Sequence, residues 1–327
     1  MSPSVIYRAR YVLPISVAPI EDGALLVADR RIVEVAPYTK LVAANPGADI
    51  IDFNDGILLP PFVNAHTHLE LSSFADWAAA AGEPDPPQDF VEWILWLVRV
   101  KRTVSEQQLR ESLTKGLEDS LHAGTGAIGD ICTTLQVSSA YMHSPLRGTD
   151  FAEVLGQDND LVSERLADIT SLIEQKNSSI DWGLSPHAPY TLSQRTLDTV
   201  FDFAAGKGLR SCIHLAESKE EKAFLEDGSG SIAEKLYVAA QWPLDKDSLP
   251  GSSPVQALCR PGRLKVGDLV VHGVEVDQDD IALLKSSGSS VVLCPRSNAA
   301  LNGGRAPVAS YLKAGVPLAI GTDSMAS

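Results

Sequence analysis

Cysteine, basic residues and long apolar runs are scarce in this 327-residue sequence, and each shortage excludes a class of protein. The four cysteines are widely separated and form no CxxC pair, which argues against a disulfide framework and predicts a reduced, cytoplasmic protein. Lys and Arg number 27 against 42 Asp and Glu, so the net charge is −15. This balance argues against nucleic acid or anionic membranes as partners, because both require clustered cations.

Membrane and targeting segments are also lacking. No stretch of about 18 uninterrupted apolar residues is present, so the sequence offers no candidate spanning helix. Residues 1–14 alternate apolar and polar side chains and include Arg8 and Arg10, which interrupt any signal-peptide core. Hydrophobic residues make up 44% of the chain, enough for a large core, and we expect a small molecule as the partner.

The hydrophobic pattern changes near residue 56. Before that point the sequence resembles short strands joined by turns, over residues 5–13, 23–27 and 31–36, which predicts a small, sandwich-like β subdomain. From residue 57, short apolar runs alternate with longer amphipathic segments, as in strand, helix and parallel strand. We therefore expect a β subdomain over residues 1–56 and an α/β domain over residues 57–327.

Eight apolar runs in the second part predict a (β/α)8 TIM barrel, for which a core of roughly 250 residues is typical. The runs cover residues 58–65, 125–131, 148–155, 180–185, 210–215, 268–274, 290–295 and 317–322. Helix-like stretches include residues 105–122, 161–175, 193–207, 277–286 and 307–314, several of them opened by Ser or Asp as an N-cap. Residues 241–265, rich in Pro, Gly and Ser, are interpreted as a loop insertion before the sixth strand.

Polar side chains follow several of these runs, at the strand ends where barrels of this kind form active sites. His66 and His68 follow the first run, and in an extended segment residues i and i+2 point to the same side. His214 ends the fifth run and Asp323 follows the eighth. The pair His66 and His68 alone is as typical of a solvated strand end as of a metal site, and His214 or Asp323 alone is ordinarily a hydrogen-bonded core His or an N-cap Asp. Together the four form a ligand set suited to Zn or Fe.

The ordered set of motifs resembles that of the metal-dependent amidohydrolase superfamily, in its branch of nucleoside- and cytosine-type aminohydrolases. The matching segments are PFVNAHTH at 61–68, SPHAPYT at 185–191, HLAE at 214–217, HGV at 272–274, CPRSN at 294–298 and GTDS at 321–324. Within that branch the chain is most similar to the aminofutalosine deaminases of menaquinone biosynthesis, through HLELS at 68–72 and CPRSN. Adenosine and S-adenosylhomocysteine deaminases share most of these motifs.

The resemblance implies hydrolytic deamination of an aminopurine nucleoside, a reaction at a carbon–nitrogen bond of a cyclic amidine. One divalent ion, Zn or Fe, would be held by His66, His68, His214 and Asp323, and would lower the pKa of water from 15.7 towards roughly 7. Glu217 would protonate the ring nitrogen beside the attacked carbon. His272 would polarise or deprotonate the water, and Asp323 would pass a proton to the departing ammonia.

The expectation of one metal rather than two depends on a missing lysine. In binuclear members of the superfamily, a carbamylated lysine at the end of the fourth strand bridges both ions. Here that strand ends in Ser185, and the nearest preceding lysine, Lys176, comes before the strand. A mononuclear site is therefore predicted.

Residues that contact the substrate are predicted less directly. His187 would face the pocket by resemblance, or it would only fix its own loop. Glu70, Glu153 and Arg296 lie at or just after strand ends, where a carboxylate–ribose or Arg–carboxylate contact would suit an aminofutalosine, which carries a benzoate. A surface salt bridge is the ordinary alternative for each of the three. The aromatic stretch at 90–98 either walls the pocket or forms the core face of a helix.

Three alternatives stay open at this level. The same scaffold would support dechlorination of a triazine or cleavage of a cyclic amide, and a non-catalytic barrel acting as a binding protein is the alternative from another class. A homodimer is a candidate assembly.

Only residues 324–327 follow Asp323, so we expect the sequence to lack the eighth helix and the C-terminal β segment that completes the N-terminal element in relatives.

Overall fold

A computed structural model describes residues 4–174, 180–259 and 263–327 of the chain. By their internal contacts the residues divide into two units, Met1–Phe62 and Val63–Ser327. The boundary expected from the hydrophobic pattern, after residue 56, falls shortly before this division. Lys176, whose position entered the argument for one metal, lies outside the described residues.

The first unit is built on one mixed sheet. Its strands are β1 (Val5–Val12), β2 (Ile20–Ala28), β3 (Arg31–Pro37), β4 (Asp49–Asp52) and β5 (Ile57–Leu58), in the order β3-β2-β1-β4 with β5 also paired to β1. Helix α1 (Tyr38–Ala44) contributes Leu41 to a small core with Ile6 and Leu26. The described part of this unit thus has a single sheet with one helix, not the two facing layers expected of a sandwich-like subdomain.

The second unit contains the eight strands that the sequence predicts. They are β6 (Phe62–Thr67), β7 (Thr125–Cys132), β8 (Arg147–Val154), β9 (Ile180–Pro186), β10 (Cys212–Leu215), β11 (Leu269–His272), β12 (Ser290–Leu293) and β13 (Leu318–Ile320). They form two four-stranded sheets, β6 to β9 and β10 to β13. Parallel bridges from Leu184 to Ser211 and from Thr67 to Asp323 join the two sheets at both edges. The sheets therefore close into a barrel.

Helices follow or connect these strands. They are α2 (Phe74–Ala80), α3 (Phe90–Lys101), α4 (Glu106–His122), α5 (Asn159–Ile173), α6 (Gln194–Lys207), α7 (Lys219–Asp227), α8 (Tyr237–Ala240), α9 (Pro254–Leu258), α10 (Gln278–Ser287), α11 (Pro295–Ala300) and α12 (Val308–Ala314). Ser105, Ser193 and Asp277 accept hydrogen bonds from backbone N–H groups as N-caps of α4, α6 and α10. Across the described ranges, no helix combines the length and apolarity needed to cross a membrane.

Two details of the sequence interpretation are wrong. The first barrel strand begins at Phe62 and not at residue 58, because Ile57–Leu58 pairs with β1 and two prolines that lack an N–H, Pro60 and Pro61, separate it from β6. The supposed loop insertion at 241–265 contains α9, whose Val255 and Leu258 are buried in the main core. Residues 260–262 of that segment lie outside the described part of the chain.

The apolar side chains of the strands supply two separate cores. One cluster contains a buried side chain from each of six barrel strands. Side chains from six strands can meet only inside the barrel, so this cluster fills its interior. The strand residues of the cluster are Ala65, Ile131, Phe151, Cys212, Val271 and Val292. Larger clusters lie between strands and helices, for example where Leu197 of α6 and Leu284 of α10 pack. The filled interior leaves the carboxyl ends of the strands as the place for a site.

Close packing between β7 and β8 allows a stability test at Gly148. Its φ is +133°, and a Cβ built there would lie 1.8 Å from the Ile128 carbonyl oxygen. We expect Gly148→Ala to lower the free energy of unfolding by at least about 2 kcal/mol, since both the dihedral and the contact are unfavourable. Gly206→Ala in α6, where nothing lies within 4 Å, should instead be neutral or stabilise by about 0.5–1 kcal/mol. Equal urea midpoints for the Gly148 variant and the parent would contradict this packing.

Candidate active site

Three imidazoles converge at the carboxyl end of the barrel. Ligand nitrogens of His66, His68 and His214 lie within 4.8 Å of one another, and the Nε2 atoms of His68 and His214 are 3.4 Å apart. The Nδ1–H of His214 donates to the His187 carbonyl oxygen at 2.9 Å, which leaves the lone pair of Nε2 facing the cluster. The strand ends thus bring together the three histidines that the sequence singles out.

His66 provides the test of whether this cluster suits a metal ion. Its side chain is fully buried, and its Nε2 has no hydrogen-bond partner among the described residues. Burial lowers the pKa of His66 to about 4, so the imidazole is neutral at physiological pH. A buried, neutral nitrogen without a hydrogen-bond partner, beside two other imidazoles and a carboxylate, fits a divalent metal site.

The carboxylate is that of Asp323, which the closure of the barrel places against β6. The Asp323 N–H donates to the His66 carbonyl at 3.1 Å, and Oδ1 lies 3.4 Å from Nε2 of both His66 and His68. Gly321 permits this approach, because a Cβ there would lie 2.8 Å from the His66 Cβ. Burial would raise the Asp323 pKa, but the imidazoles of His66, His272 and His68 around it hold that pKa well below its usual value.

His272 lies beside this cluster with a fixed orientation. It is buried at the end of β11 with φ of +76°, a conformation that is unfavourable for a non-glycine residue and that the surrounding packing must hold. Its Nδ1 donates to the Asn298 Oδ1 at 2.9 Å. Burial lowers the His272 pKa, so the ring is neutral and Nε2 carries the free lone pair. That atom lies 3.4 Å from the Glu217 Oε1 and 3.9 Å from the Asp323 Oδ2.

Glu217 follows β10 through Ala216, which has φ of +52°. The backbone N–H of Glu217 donates to the Glu221 Oε2 at 2.8 Å, and Glu221 is itself buried in α7. Burial raises the pKa of Glu217 to about 8. The carboxyl group therefore holds a proton at neutral pH and is able to act as an acid.

A cavity of 530 Å³ opens above these groups. Its lining includes His68, His214, Glu217, His272 and Asp323, and from α3 it includes Phe90, Trp93, Ile94, Leu97 and Val98. Helix α3 also buries Val91, Trp96 and Val100 in the core. Both interpretations of the stretch 90–98 are therefore correct, since one face of the helix packs and the other walls the cavity.

Two of the four predicted substrate contacts lie in this cavity. Glu153, at the end of β8, accepts a hydrogen bond from the Thr133 hydroxyl at 2.7 Å. His187 lines the cavity just after β9, and its Nδ1 is 3.0 Å from the Thr191 hydroxyl. Ligand atoms of Glu153, His187 and His214 also lie within 4.8 Å of one another. The structure thus joins Glu153 and His187 to the histidine cluster.

The other two predicted contacts lie elsewhere. Glu70 is buried below the cavity, where it pairs with Lys101 and accepts the Thr134 N–H at 3.0 Å. Arg296 is exposed on α11 and is not among the lining residues. Both residues follow a strand end in the sequence, and this position was the reason to predict them at the site. In the structure Glu70 instead pairs with Lys101, and Arg296 faces solvent.

Residues 297 and 298 were not given roles from the sequence, although they belong to the CPRSN motif. The Ser297 hydroxyl donates to the Asp323 Oδ2 at 2.6 Å, and Asn298 holds His272 as described above. Both lie within α11 (Pro295–Ala300), which follows the seventh strand of the barrel, at the same edge as the other site residues. Their place after a strand end was the signal that would have identified them.

The chain is similar to known proteins over most of its length. The model of the amidohydrolase family matches residues 57–327. The aminodeoxyfutalosine deaminase of Deinococcus radiodurans is 33% identical over 285 residues, covering 83% of this chain and 64% of that protein. A 5-methylthioadenosine/S-adenosylhomocysteine deaminase of Moorella thermoacetica is 30% identical over 321 residues, covering 97% and 68%. The chain therefore spans about two thirds of the length of these curated relatives, slightly less for the first of them.

A solved structure shows the same architecture. The Helicobacter pylori aminofutalosine deaminase in complex with methylthio-coformycin superimposes with a TM-score of 0.82, covering 98% of this chain and 77% of that one at 22% identity. At that level of identity the likeness concerns the fold, and the barrel expected from the sequence is confirmed by it.

Proposed function

Because this chain belongs to the amidohydrolase family, we propose that it catalyses hydrolytic deamination of an aminopurine nucleoside, with aminodeoxyfutalosine as the preferred substrate. The observation that carries the proposal is the placement of a protonated carboxyl, a neutral imidazole and an ionised carboxylate around one cluster of histidines. Glu217, His272 and Asp323 supply these three groups. Hydrolysis of an amidine needs an acid, a base and a proton carrier, which these states provide.

The family and the donor set both support a metal-dependent reaction. His66, His68, His214 and Asp323 would hold one divalent ion, Zn or Fe, because imidazole and carboxylate ligands suit both metals. When bound, the ion would make water acidic enough to supply hydroxide near neutral pH. Strand β9 contains no lysine and ends in Ser185 and Pro186, which supports one ion rather than a bridged pair.

The protein's own groups would move the protons. His272 takes a proton from the attacking water through Nε2, whose lone pair faces the site. Glu217 gives its proton to the ring nitrogen next to the attacked carbon, so that the ring accepts the oxygen without becoming an anion. Asp323, 3.9 Å from the His272 Nε2, carries that proton to the amine, which leaves as ammonia. The second proton of the water leaves the new hydroxyl as the C=O bond forms and returns to Glu217, which restores the starting state. The products are the oxo-purine nucleoside and ammonia.

The cavity supports a nucleoside substrate. Its 530 Å³ falls within the range of roughly 300–1,000 Å³ usual for small-molecule sites. Glu153 and His187 supply hydrogen-bonding groups for a ribose, and the aromatic wall of α3 supplies apolar contact for a ring. Among similar proteins, the names aminodeoxyfutalosine deaminase and methylthioadenosine/S-adenosylhomocysteine deaminase both describe adenine-type nucleoside substrates.

The experiment that tests this function is an ammonia-release assay on the purified, metal-loaded chain. We expect turnover of aminodeoxyfutalosine with a kcat/KM at least about tenfold above those of adenosine and S-adenosylhomocysteine. Preference for S-adenosylhomocysteine would move the assignment to the second relative. Chloride release from a triazine without ammonia release would replace it with dechlorination, and no turnover with no bound metal would favour a binding protein. The homodimer and the cytoplasmic location stay predictions.

A further inference from the structure

Glu221 is a buried carboxyl group that has no role in the proposed proton transfers. It lies in the first turn of α7, its side chain is fully buried, and it is not among the residues that line the cavity. Its Oε2 accepts the Glu217 N–H at 2.8 Å, and its Oε1 has no hydrogen-bond partner within the described ranges. Burial raises the pKa of Glu221 to about 8. Stability alone does not explain this group, because an apolar side chain of similar size would leave no buried oxygen without a partner.

The contact between Glu221 and Glu217 is a variant of the capping box. Ser218 is the N-cap of α7, and its hydroxyl accepts the Glu221 N–H at 3.2 Å. In the usual box, the side chain at the third helical position accepts the backbone N–H of the N-cap residue. Glu221 occupies that third position, but its carboxyl group accepts the N–H of the residue before the N-cap. The bond that ordinarily secures a helix start thus secures the backbone of the proposed acid.

The capping boxes of α4 and α10 show the usual arrangement in the same chain. The Gln108 Oε1 accepts the N–H of the N-cap Ser105 at 3.0 Å. The Asp280 Oδ2 likewise accepts the N–H of the N-cap Asp277 at 3.2 Å. None of these four residues is among those that line the cavity. The shift by one residue therefore occurs in α7, where the residue before the N-cap is Glu217.

The backbone at Glu217 is a place where such a bond has an effect on geometry. The preceding Ala216 has φ of +52°, which is unfavourable for a residue with a Cβ and must be held by its surroundings. The Glu217 Oε1 lies 3.4 Å from the His272 Nε2. A rotation of the segment at Ala216 would move the carboxyl group away from that ring, and a displacement of about 1 Å can cost about 10²-fold in rate.

We propose that Glu221 is a positioning residue for deamination, because its hydrogen bond to the Glu217 N–H holds the general acid in place. This inference rests on the proposed deamination and adds to it a residue from outside the cavity. Glu221 acts through Glu217, touches no substrate and gives no proton to it. Its contribution is therefore expected in kcat, with little effect on KM or on metal binding.

The test removes the hydrogen-bond acceptor and then restores it. Glu221→Met keeps an unbranched side chain of similar length without the acceptor, and we expect kcat for aminodeoxyfutalosine to fall about 10- to 100-fold. KM should change by less than about threefold, as for an interaction that acts on the chemical step. Glu221→Gln retains an oxygen that can accept the Glu217 N–H, so its kcat should stay close to that of the parent. Ammonia release and metal per chain are measured for each metal-loaded protein.

Glu220→Met is the matched control, because it removes a carboxylate from the same first turn of α7 and Glu220 does not line the cavity. It should leave kcat unchanged. Parental kcat in a folded, metal-loaded Glu221→Met protein would overturn the positioning role. An equal loss of kcat in Glu221→Gln would do the same, and so would an equal loss in Glu220→Met.

Exchange of the Glu217 amide hydrogen, followed by NMR, tests the contact without turnover. We expect slow exchange in the parent and in Glu221→Gln, and exchange at least about tenfold faster in Glu221→Met. Equal exchange in all three proteins would contradict the contact. A parent that releases no ammonia would instead overturn the proposed deamination, and the exchange rates would still show whether Glu221 holds residue 217.

Discussion

Glu217→Gln is expected to lower kcat/KM for nucleoside deamination by at least about 10²- to 10⁴-fold, the range usual for loss of a general acid. The pKa of Glu217 is raised to about 8 by burial, so the native group carries the proton that the ring nitrogen must receive. The Gln side chain has nearly the same shape, and the backbone N–H of residue 217 keeps its hydrogen bond to the Glu221 Oε2, but the side-chain amide has no acidic proton to give. Steady-state ammonia release is the measurement.

The control for this variant is metal content, which should be unchanged because Glu217 is not among the candidate ligands. Glu226→Gln, at the exposed end of helix α7, which follows Glu217 in the chain, should retain full activity. A metal-loaded Glu217→Gln protein with parental activity would show that the ring nitrogen is protonated by another group.

His66→Ala is expected to remove both the metal and the activity. His66 is the most enclosed of the three histidines, and its unpartnered Nε2 faces the Asp323 Oδ1 at 3.4 Å. Without that ligand, water would lose most of the acidification that a bound ion gives, and we expect turnover to fall by about 10⁴-fold or more. Metal per chain is measured by emission spectroscopy and turnover by ammonia release.

Folding must be separated from ligation in this variant, because a buried imidazole is lost. The first control compares the thermal unfolding of the metal-free parent with that of metal-free His66→Ala. In the second control the metal is removed from the parent by a chelator and Zn or Fe is then added back. His122→Ala changes an exposed histidine at the end of α4 and should alter none of these readings. Retained stoichiometric metal in a folded His66→Ala protein would exclude His66 as a ligand.

The barrel and its ligand set were predictable from sequence because both depend on short-range pattern. Apolar runs bounded by turn residues marked the eight strands, and Ser105, Ser193 and Asp277 marked helix starts through hydrogen bonds made within four residues. His66, His68, His214 and Asp323 followed from the rule that the carboxyl ends of barrel strands share one face. The eight strands do place them together.

Features that depend on packing between distant segments were not predictable. Whether Glu70 or Arg296 faces the cavity is decided by what lies opposite, and for Glu70 that is Lys101, 31 residues away. Residues 57–58 look like the start of the first barrel strand, and only their pairing with Tyr11 and Val12 assigns them to the other sheet.

The central claim is that this cavity deaminates a nucleoside, and ammonia release from aminodeoxyfutalosine by the metal-loaded chain tests it most directly. The account predicts stoichiometric conversion to the oxo-purine product, lost in Glu217→Gln and in the chelated protein and restored when the metal is returned. A folded, metal-loaded chain that releases no ammonia from aminodeoxyfutalosine, adenosine or S-adenosylhomocysteine would contradict it.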